Sequence, residues 1–486
     1  MSTLDRLRGI VRGRAPVPVV APALSDALAG PSTFAQTATA DKEGQDLRTV
    51  RRAGSLDPAA RIGAAEYARA AIVLGGAVVE RSEGAVIVVD REYRSNALHG
   101  RLPIGDVASV ISQGTDALRV MAAAWPSAQG IVDVEAGLPC PPERDARRRE
   151  TRLLFLDLET TGLFGGAGTQ AFLVGCAAIE GDSIRIRQFL LPGFEHERAV
   201  LSELRAWTKN HGAICTYNGR TFDAPLIETR FMFHRLPCPL DGVPHLDMLH
   251  AARRLWRQRP LTTGTPDPDD SSCSLAVLEK HIAGLHRIGD VPGYEIPSRF
   301  FRFVRDGDAH PLEAVLEHNR LDLISLAAVL ARAITLITRG PAEARTAQEA
   351  YGLARVYERA GAHDDAEAAL VRTVEFASRV GGEPEVHAEA LRRLAWLRRR
   401  ARRVHEAADA WRALASLPRC AASLRREAKE ALAIHYEHRS KNLQVARQHA
   451  LDLLSDLDAN QLRVRHRLDR LERKLARHTA TLPIHD

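Results

Sequence analysis

The feature that most constrains the fold is LLFLDLE at residues 153–159, an apolar run of strand length that ends in two acids two positions apart. Side chains alternate across a strand, so Asp157 and Glu159 point to one side at the end of the element. Two carboxylates side by side repel each other unless something positive lies between them, and a divalent cation is the usual answer. The strand runs directly into Thr160-Thr161-Gly162-Leu163 and the glycine-rich FGGAG, where small residues and free backbone N–H groups would let a phosphate approach. Two more strand-length runs follow, AFLVGCAAI (171–179) and SIRIRQFLL (183–191), then AICTYNG (213–219), a strand ending in a turn. Helical spacing covers 197–210 and 222–235, with further helices expected over 247–257, 274–283 and 311–336. Strands first and helices later predict an α/β fold with a mixed sheet flanked by helices, not a uniformly alternating doubly wound one.

The rest of the chain divides by texture. Residues 1–60 are rich in Ala, Pro, Ser and Thr with little periodicity and read as a flexible lead-in. Residues 61–148 hold β-branched runs, AIVLGGAVVE and GAVIVVDREY, separated by RSE, which predict a hairpin or small sheet with no assignable role. A proline-rich, charged linker closes that segment, and 149–338 forms the next domain. Beyond Gly340 strand signals vanish. Ala354, Tyr357, Gly361, Ala366 and Leu370 occupy the small and large positions of a helical hairpin. The pattern returns at Ala395, Ala407 and Trp411, then at Ala433, Tyr436, Ala446 and Ala450. Tetratricopeptide-like repeats over 345–460 are expected, although the spacing of the alanines at 366, 407 and 446 exceeds the roughly 34 residues of the regular repeat. A basic helix and tail, 461–486, puts Val464, Leu468, Leu471 and Leu475 on one stripe.

Charge and cysteine usage narrow the function classes. Residues 341–486 carry 27 Lys and Arg against 21 Asp and Glu, so the whole net charge of +6 lies in that region. The excess is compatible with a polyanionic partner. Six scattered cysteines without CxxC spacing argue against a disulfide framework and a zinc site, and read as reduced thiols. No stretch approaches the roughly 20 apolar residues that span a bilayer, and the start lacks a secretory apolar core. A cytoplasmic location without membrane contact is expected.

DLETTGL resembles the first motif of the DEDD exonuclease superfamily, and YNGRTFDAP (217–225) resembles the second. His318-Asn-Arg-Leu-Asp322 supplies the third, an acid a few residues after a His or Tyr on a late helix. LDLETTGLFGGAGTQAFLVG and CSLAVLEKHIAGLHRIGDVPGYEIP (273–297) resemble the YprB-type ribonuclease H-like family in particular. The resemblance, over about 150–335, implies a metal-dependent 3′→5′ exonuclease acting on single-stranded or frayed DNA or RNA. It implies that Asp157, Glu159 and Asp322 hold one Mg²⁺ or Mn²⁺ and that Asp157 with Asp223 holds a second. Thr160, Thr161, Gly162, Leu163, Asn218 and Phe222 would line the substrate site. In the tyrosine branch of that superfamily the aromatic residue stands four before the last acid, and in the histidine branch His stands five before it. Here His318 has the spacing of the tyrosine branch, which puts it on the same helix face as Asp322.

Duller readings bound these expectations. An acid pair at a strand end is common, and only three motifs in order, each in its expected element, are specific. Asp247 reads as an acid that supports the structure or the site residues rather than acting itself. Gly166-x-Gly168-x-x-Ala171 mimics a dinucleotide fingerprint, but a strand-like run follows where a helix should begin. The seven arginines of LRRLAWLRRRARR (391–403) fit a solvated repeat face as well as a phosphate-contacting one. Two rivals stay open: a catalytically silent scaffold that binds a protein partner through its repeats, and a structure-selective endonuclease of the same fold.

Overall fold

The computed structural model describes residues 63–129, 153–162, 168–209, 211–257, 273–380, 383–454 and 460–480. The lead-in, Leu163, most of the glycine-rich FGGAG stretch and residues 258–272 fall outside the described residues.

Five strands form the centre of the sheet: β5 (Leu153–Thr160), β6 (Ala171–Glu180), β7 (Ser183–Leu190), β8 (Ala213–Thr216) and β9 (His245–Asp247). Their order is β7-β6-β5-β8-β9, with β6 antiparallel to both of its neighbours, β5 and β7, and with β5, β8 and β9 parallel. The short loops between β5, β6 and β7 allow antiparallel neighbours, whereas β8 and β9 are reached through helical crossovers. The mixed α/β sheet expected from the sequence is therefore present.

The hairpin of the preceding segment, β1 (Ala77–Arg81) and β2 (Gly84–Tyr93), extends this same sheet. Strand β2 pairs along β7 from Ile87↔Leu190 to Tyr93↔Ile184, and Arg187 grips Asp90 through two hydrogen bonds of 2.6 Å. The apolar run read from residue 71 begins as helix: α1 (Ala64–Val73) packs Tyr67, Ala70 and Ala71 inward. A small ribbon, β3 (Leu98–His99) with β4 (Leu102–Pro103), leads into α2 (Ile104–Ser112) and α3 (Thr115–Ala124).

Alternation along β5 divides the core. Leu154, Leu156 and Leu158 face a cluster with α4 (Glu197–Thr208), α5 (Asp223–Phe233) and α8 (Ile296–Asp306). Leu153 and Phe155 face the other cluster, shared with α2, α3, α6 (Met248–Leu255), α7 (Leu275–Ala283) and α9 (His310–Arg339). Asp157 and Glu159 continue this second row beyond its apolar part, beside α9.

Helix α9 corrects the expectation that no stretch nears membrane-spanning character. Its 30 residues include a window of mean hydropathy 1.9, long and apolar enough by composition to cross a bilayer. In the structure 78% of that window is buried. That window is apolar because it lies between the sheet and helices α2, α3, α6 and α7, with the C-terminal helices beyond, a buried position that does the same to composition as lipid would.

Those helices form three antiparallel hairpins: α10 (Ala347–Ala360) with α11 (His363–Val380), α12 (Pro384–Arg400) with α13 (Val404–Ser416), and α14 (Ala422–His438) with α15 (Leu443–Leu454). Ala366, Ala407 and Ala446, spaced so in the sequence, each lie buried in the second helix of a hairpin. Helix α16 (Gln461–Ala480) closes the array by burying Val464, Leu468 and Leu471. The first core cluster runs without a break from the sheet to Leu432, so the hairpins and the sheet share one interior.

Candidate active site

Strand β5 delivers Asp157 and Glu159 to the end of the sheet, where a register shift between Glu159 and Thr160 ends regular pairing with β6. Asp157 lies opposite Gly175 on β6, and Gly175 lies opposite Gln188 on β7. Asn319 of α9 fills the space above this row. Its Nδ2 donates to Asp157 Oδ2 at 2.8 Å, while its Oδ1 accepts from Gln188 Nε2 at 2.9 Å. A Cβ on Gly175 would come within 2.0 Å of Asn319 Oδ1, so only glycine admits that amide. Both amides are buried, and Gln188 also donates to the Leu316 carbonyl at 2.8 Å. The orientation of the Asp157 carboxylate is thus set by a chain of three side chains.

Asp322 stands one turn beyond His318 on α9. His318 Nδ1–H donates to Asp290 Oδ1 at 2.7 Å, and its Nε2 lies 3.7 Å from Asp322 Oδ2. His318 thus lies between two carboxylates, Asp290 at Nδ1 and Asp322 near Nε2. Arg287 joins the acids below: it pairs with Glu279 through two bonds of 2.8 Å, reaches Asp290 at 3.2 Å and donates to Asp322 Oδ1. Ser325 and His99 extend this network inward from Glu279, with His99 Nε2 2.8 Å from Ser325 Oγ.

The second motif forms a turn between β8 and α5. Asn218 adopts a left-handed conformation, φ 64°, which asparagine tolerates better than most residues. Asp247 holds this turn, accepting from the backbone N–H of Asn218 at 2.8 Å, Arg220 at 3.2 Å and Leu249 at 3.0 Å. Its carboxylate is spent on backbone, in agreement with a structural reading. Asp223 starts α5, and Phe222 before it is 56% exposed, an aromatic face open to a ligand. After β5, Thr160 Oγ1 donates to the Gly162 carbonyl at 2.8 Å, and Thr161 pairs with Gln170 through backbone and side chain at 2.9 and 3.0 Å.

The four sequence-marked acids lie close enough to feel one another. Burial, then the charges of Asp322, Glu159 and Asp223, push the Asp157 carboxyl well above its usual range. Glu159 is raised in the same way by burial, Asp322, Asp223 and Asp290. Burial and the charge of Asp247 push Asp223 up to about 7. Burial also raises Asp322, although Arg287 and His318 pull the other way. Repulsion of this kind is relieved by protons or by cations.

Among the described residues, no group of three or more His, Cys, Asp or Glu stands at ligand spacing for a metal ion. Asp322 is turned to Arg287 instead. The donor chemistry still fits a hard divalent cation, because the cluster offers carboxylate oxygens without a thiol.

Sequence reading named the acids and His318 but missed Asn319, Gln188, Gly175, Arg287 and Asp290. Asn319 stood inside the third motif, and Arg287 and Asp290 inside the 273–297 string. Gln188 and Gly175 carry no local signal, since their role depends on strand register.

Residues 154–334 match a family described as the RNase_H superfamily. Over 332 residues the chain is 32% identical to "Uncharacterized protein YprB" of Bacillus subtilis (strain 168), covering 67% of this chain and 75% of that protein. With the sheet order and the acidic cluster at its end, these likenesses give one conclusion: the chain belongs to the YprB family and carries a nuclease domain of the ribonuclease H superfamily.

Proposed function

We propose that the protein is a metal-dependent 3′→5′ exonuclease of the DEDD type, hydrolysing phosphodiester bonds in single-stranded or frayed DNA or RNA. The observation that carries this reading is the gathering of Asp157, Glu159, Asp223 and Asp322 at one end of the sheet, beside a histidine held between Asp290 and Asp322. Asp157, Glu159 and Asp322 would hold one Mg²⁺ or Mn²⁺, and Asp157 with Asp223 a second. Two such ions supply activation of water and neutralisation of the charge on the leaving 3′ oxygen.

The chain's own groups do the rest. Asn319 and Gln188 hold the Asp157 carboxylate at a fixed angle, so that its ligand geometry is prepared before substrate arrives. Asp290 and Asp322 hold the His318 ring beside the cluster, where it can orient or deprotonate the attacking water. Arg287 holds the charge of Asp322 in the absence of a cation. Phe222 offers a face on which the terminal base can stack, while Asn218 and the Thr160–Gly162 turn border the scissile phosphate.

The test is a set of labelled single- and double-stranded DNA and RNA oligonucleotides with Mg²⁺, Mn²⁺ or EDTA, each with its 3′ or 5′ end blocked. Metal-dependent shortening that a 3′ block abolishes is expected. Cleavage of closed circular strands would replace this reading with the endonuclease one. No hydrolysis under any metal would favour the silent scaffold.

A further inference from the structure

A cavity of about 610 Å³ lies where the nuclease domain meets the first helical hairpin, and its wall is made largely of arginine. Arg220, Arg253, Arg254 and Arg257 come from the nuclease side, and Arg355 and Arg359 from α10. Among the described residues no Asp or Glu lines it. None of the six arginines forms an ion pair among the described residues.

The packing that assembles this wall is tight. A Cβ on Gly352 of α10 would come within 2.5 Å of the Leu255 carbonyl oxygen and 2.6 Å of that of Arg254, so α10 rests directly on the last turn of α6. Trp256 Nε1 donates to Glu349 Oε1 at 2.9 Å and fixes the same contact. Arg355 and Arg359, one and two turns beyond Gly352, are therefore carried to the side where Arg254 emerges. Arg254 lies half-buried, with its guanidinium 5.9 Å from the Trp125 ring and a buried Nε that has no hydrogen-bond partner. Burial, together with Arg355, Arg359 and Arg393, pulls its pKa down. Glu358 offsets this only in part, and so many like charges gathered together favour an anion that would relieve them.

We infer that this cavity is a phosphate-binding channel that holds the backbone of the nucleic-acid strand whose end lies at the carboxylates. The inference rests on the nuclease reading and adds the path of the strand. Arg220 provides the continuity. It belongs to the second-motif turn, three residues before Asp223, and its backbone N–H is held by Asp247 at 3.2 Å. A strand running from the carboxylates past this turn meets the cavity next. Guanidinium forks match the paired oxygens of a phosphodiester, and arginines contributed by two domains can contact successive phosphates.

The experiment uses the full chain and a labelled 20-nucleotide single strand, DNA and RNA in turn, in EDTA so that binding is read without hydrolysis. Affinity is measured by anisotropy over a range of KCl concentrations. Arg355→Glu/Arg359→Glu should weaken binding roughly tenfold or more, since charge-assisted contacts are lost. The slope of log K against log salt should flatten by about 1.4 for two phosphates on a single strand. Arg253→Glu/Arg257→Glu, on the exposed rim, should behave alike and guards against a folding defect in the first pair. The charge-matched control Arg412→Glu/Arg419→Glu, on exposed arginines of the hairpins, should leave the slope unchanged. Equal slopes in wild type and both cavity variants, or equal losses in the control, would overturn the channel. Hydrolysis by the wild-type chain with Mn²⁺ is read separately. Cavity-dependent binding without hydrolysis would retain the channel and remove the nuclease reading, whereas hydrolysis with cavity-independent binding would do the reverse.

Discussion

Acidic side chains at the end of the sheet and in the helical hairpins meet opposite outcomes. In the hairpins, Glu437 of α14 is surrounded by cations: Arg470 donates two bonds of 2.7 Å and Lys474 one of 2.8 Å. Burial alone would raise its pKa, but those bonds override burial and hold the carboxyl at about 2. At the end of the sheet, Asp157, Glu159 and Asp223 face one another and are driven up instead. Arginine repeats the contrast. In the 391–403 run, Arg398 and Arg403 pair with Glu367, Arg392 with Glu427 and Arg393 with Glu358, while the cavity arginines form no ion pair among the described residues. A basic stretch in the sequence is thus a poor guide to a phosphate surface, because pairing in the fold decides which charges are free. The hairpins use charge to hold helices together, and the sheet end and its neighbouring cavity leave charge unspent.

Substitutions should divide along the same line. The largest effect is expected from Asp157→Ala, which should lower metal-dependent hydrolysis by on the order of 10³-fold or more while the circular dichroism spectrum stays native. Activity retained in that variant, with contaminating nuclease excluded, would remove the cluster from the mechanism. Next, His318→Ala should lower kcat by roughly 10²–10⁴. His318→Tyr should retain much more activity than the alanine variant, because the four-residue spacing to Asp322 already suits tyrosine. An alanine variant as active as wild type would leave His318 a structural partner of Asp290.

Stability should sort the two acidic regions by sign. Glu437→Gln leaves Arg470 and Lys474 without their counter-charge and should cost about 1–3 kcal/mol of unfolding free energy. Asp157→Asn removes one of several repelling charges and should raise the melting temperature of the metal-free protein. Changes of the same sign in the two variants would break the comparison.

The parts legible in the sequence are those with local periodicity. Strands β5 to β8, helices α4 to α7 and α9, and the buried alanines of the hairpins all follow from alternation or helical spacing. Strand β9 escaped because three residues carry no period, and α8 because Ile296, Phe300 and Phe303 are its only buried residues. The acids and His318 were legible because they stand in motifs. The side chains that aim them were not: Gly175, Gln188 and Asn319 meet only through the register of β5, β6 and β7 and the placement of α9. The Arg220–Arg359 cavity was equally hidden, since it needs two domains packed through Gly352.

The smallest expected effect is a pH dependence of the metal-free protein, which also separates the two acidic regions. Asp223 has its pKa raised from about 4 to about 7 on folding, so between those values the native state binds a proton that the unfolded chain has lost. Stability therefore falls as pH rises through this window. Glu437 runs the other way: its contribution is complete above the unfolded value near 4.5 and is lost only as pH falls toward 2, so it is silent between pH 5 and 8. In EDTA the melting temperature should drop by a few degrees from pH 5 to pH 8. Mg²⁺ or Mn²⁺ should raise it more at pH 8 than at pH 5, because at the lower pH a cation must displace protons. Asp223→Asn should flatten the EDTA profile, and Glu437→Gln should shift it down without changing its slope. A metal-induced shift of equal size at both pH values, with an unchanged profile in Asp223→Asn, would mean that the cation binds somewhere other than the carboxylate cluster.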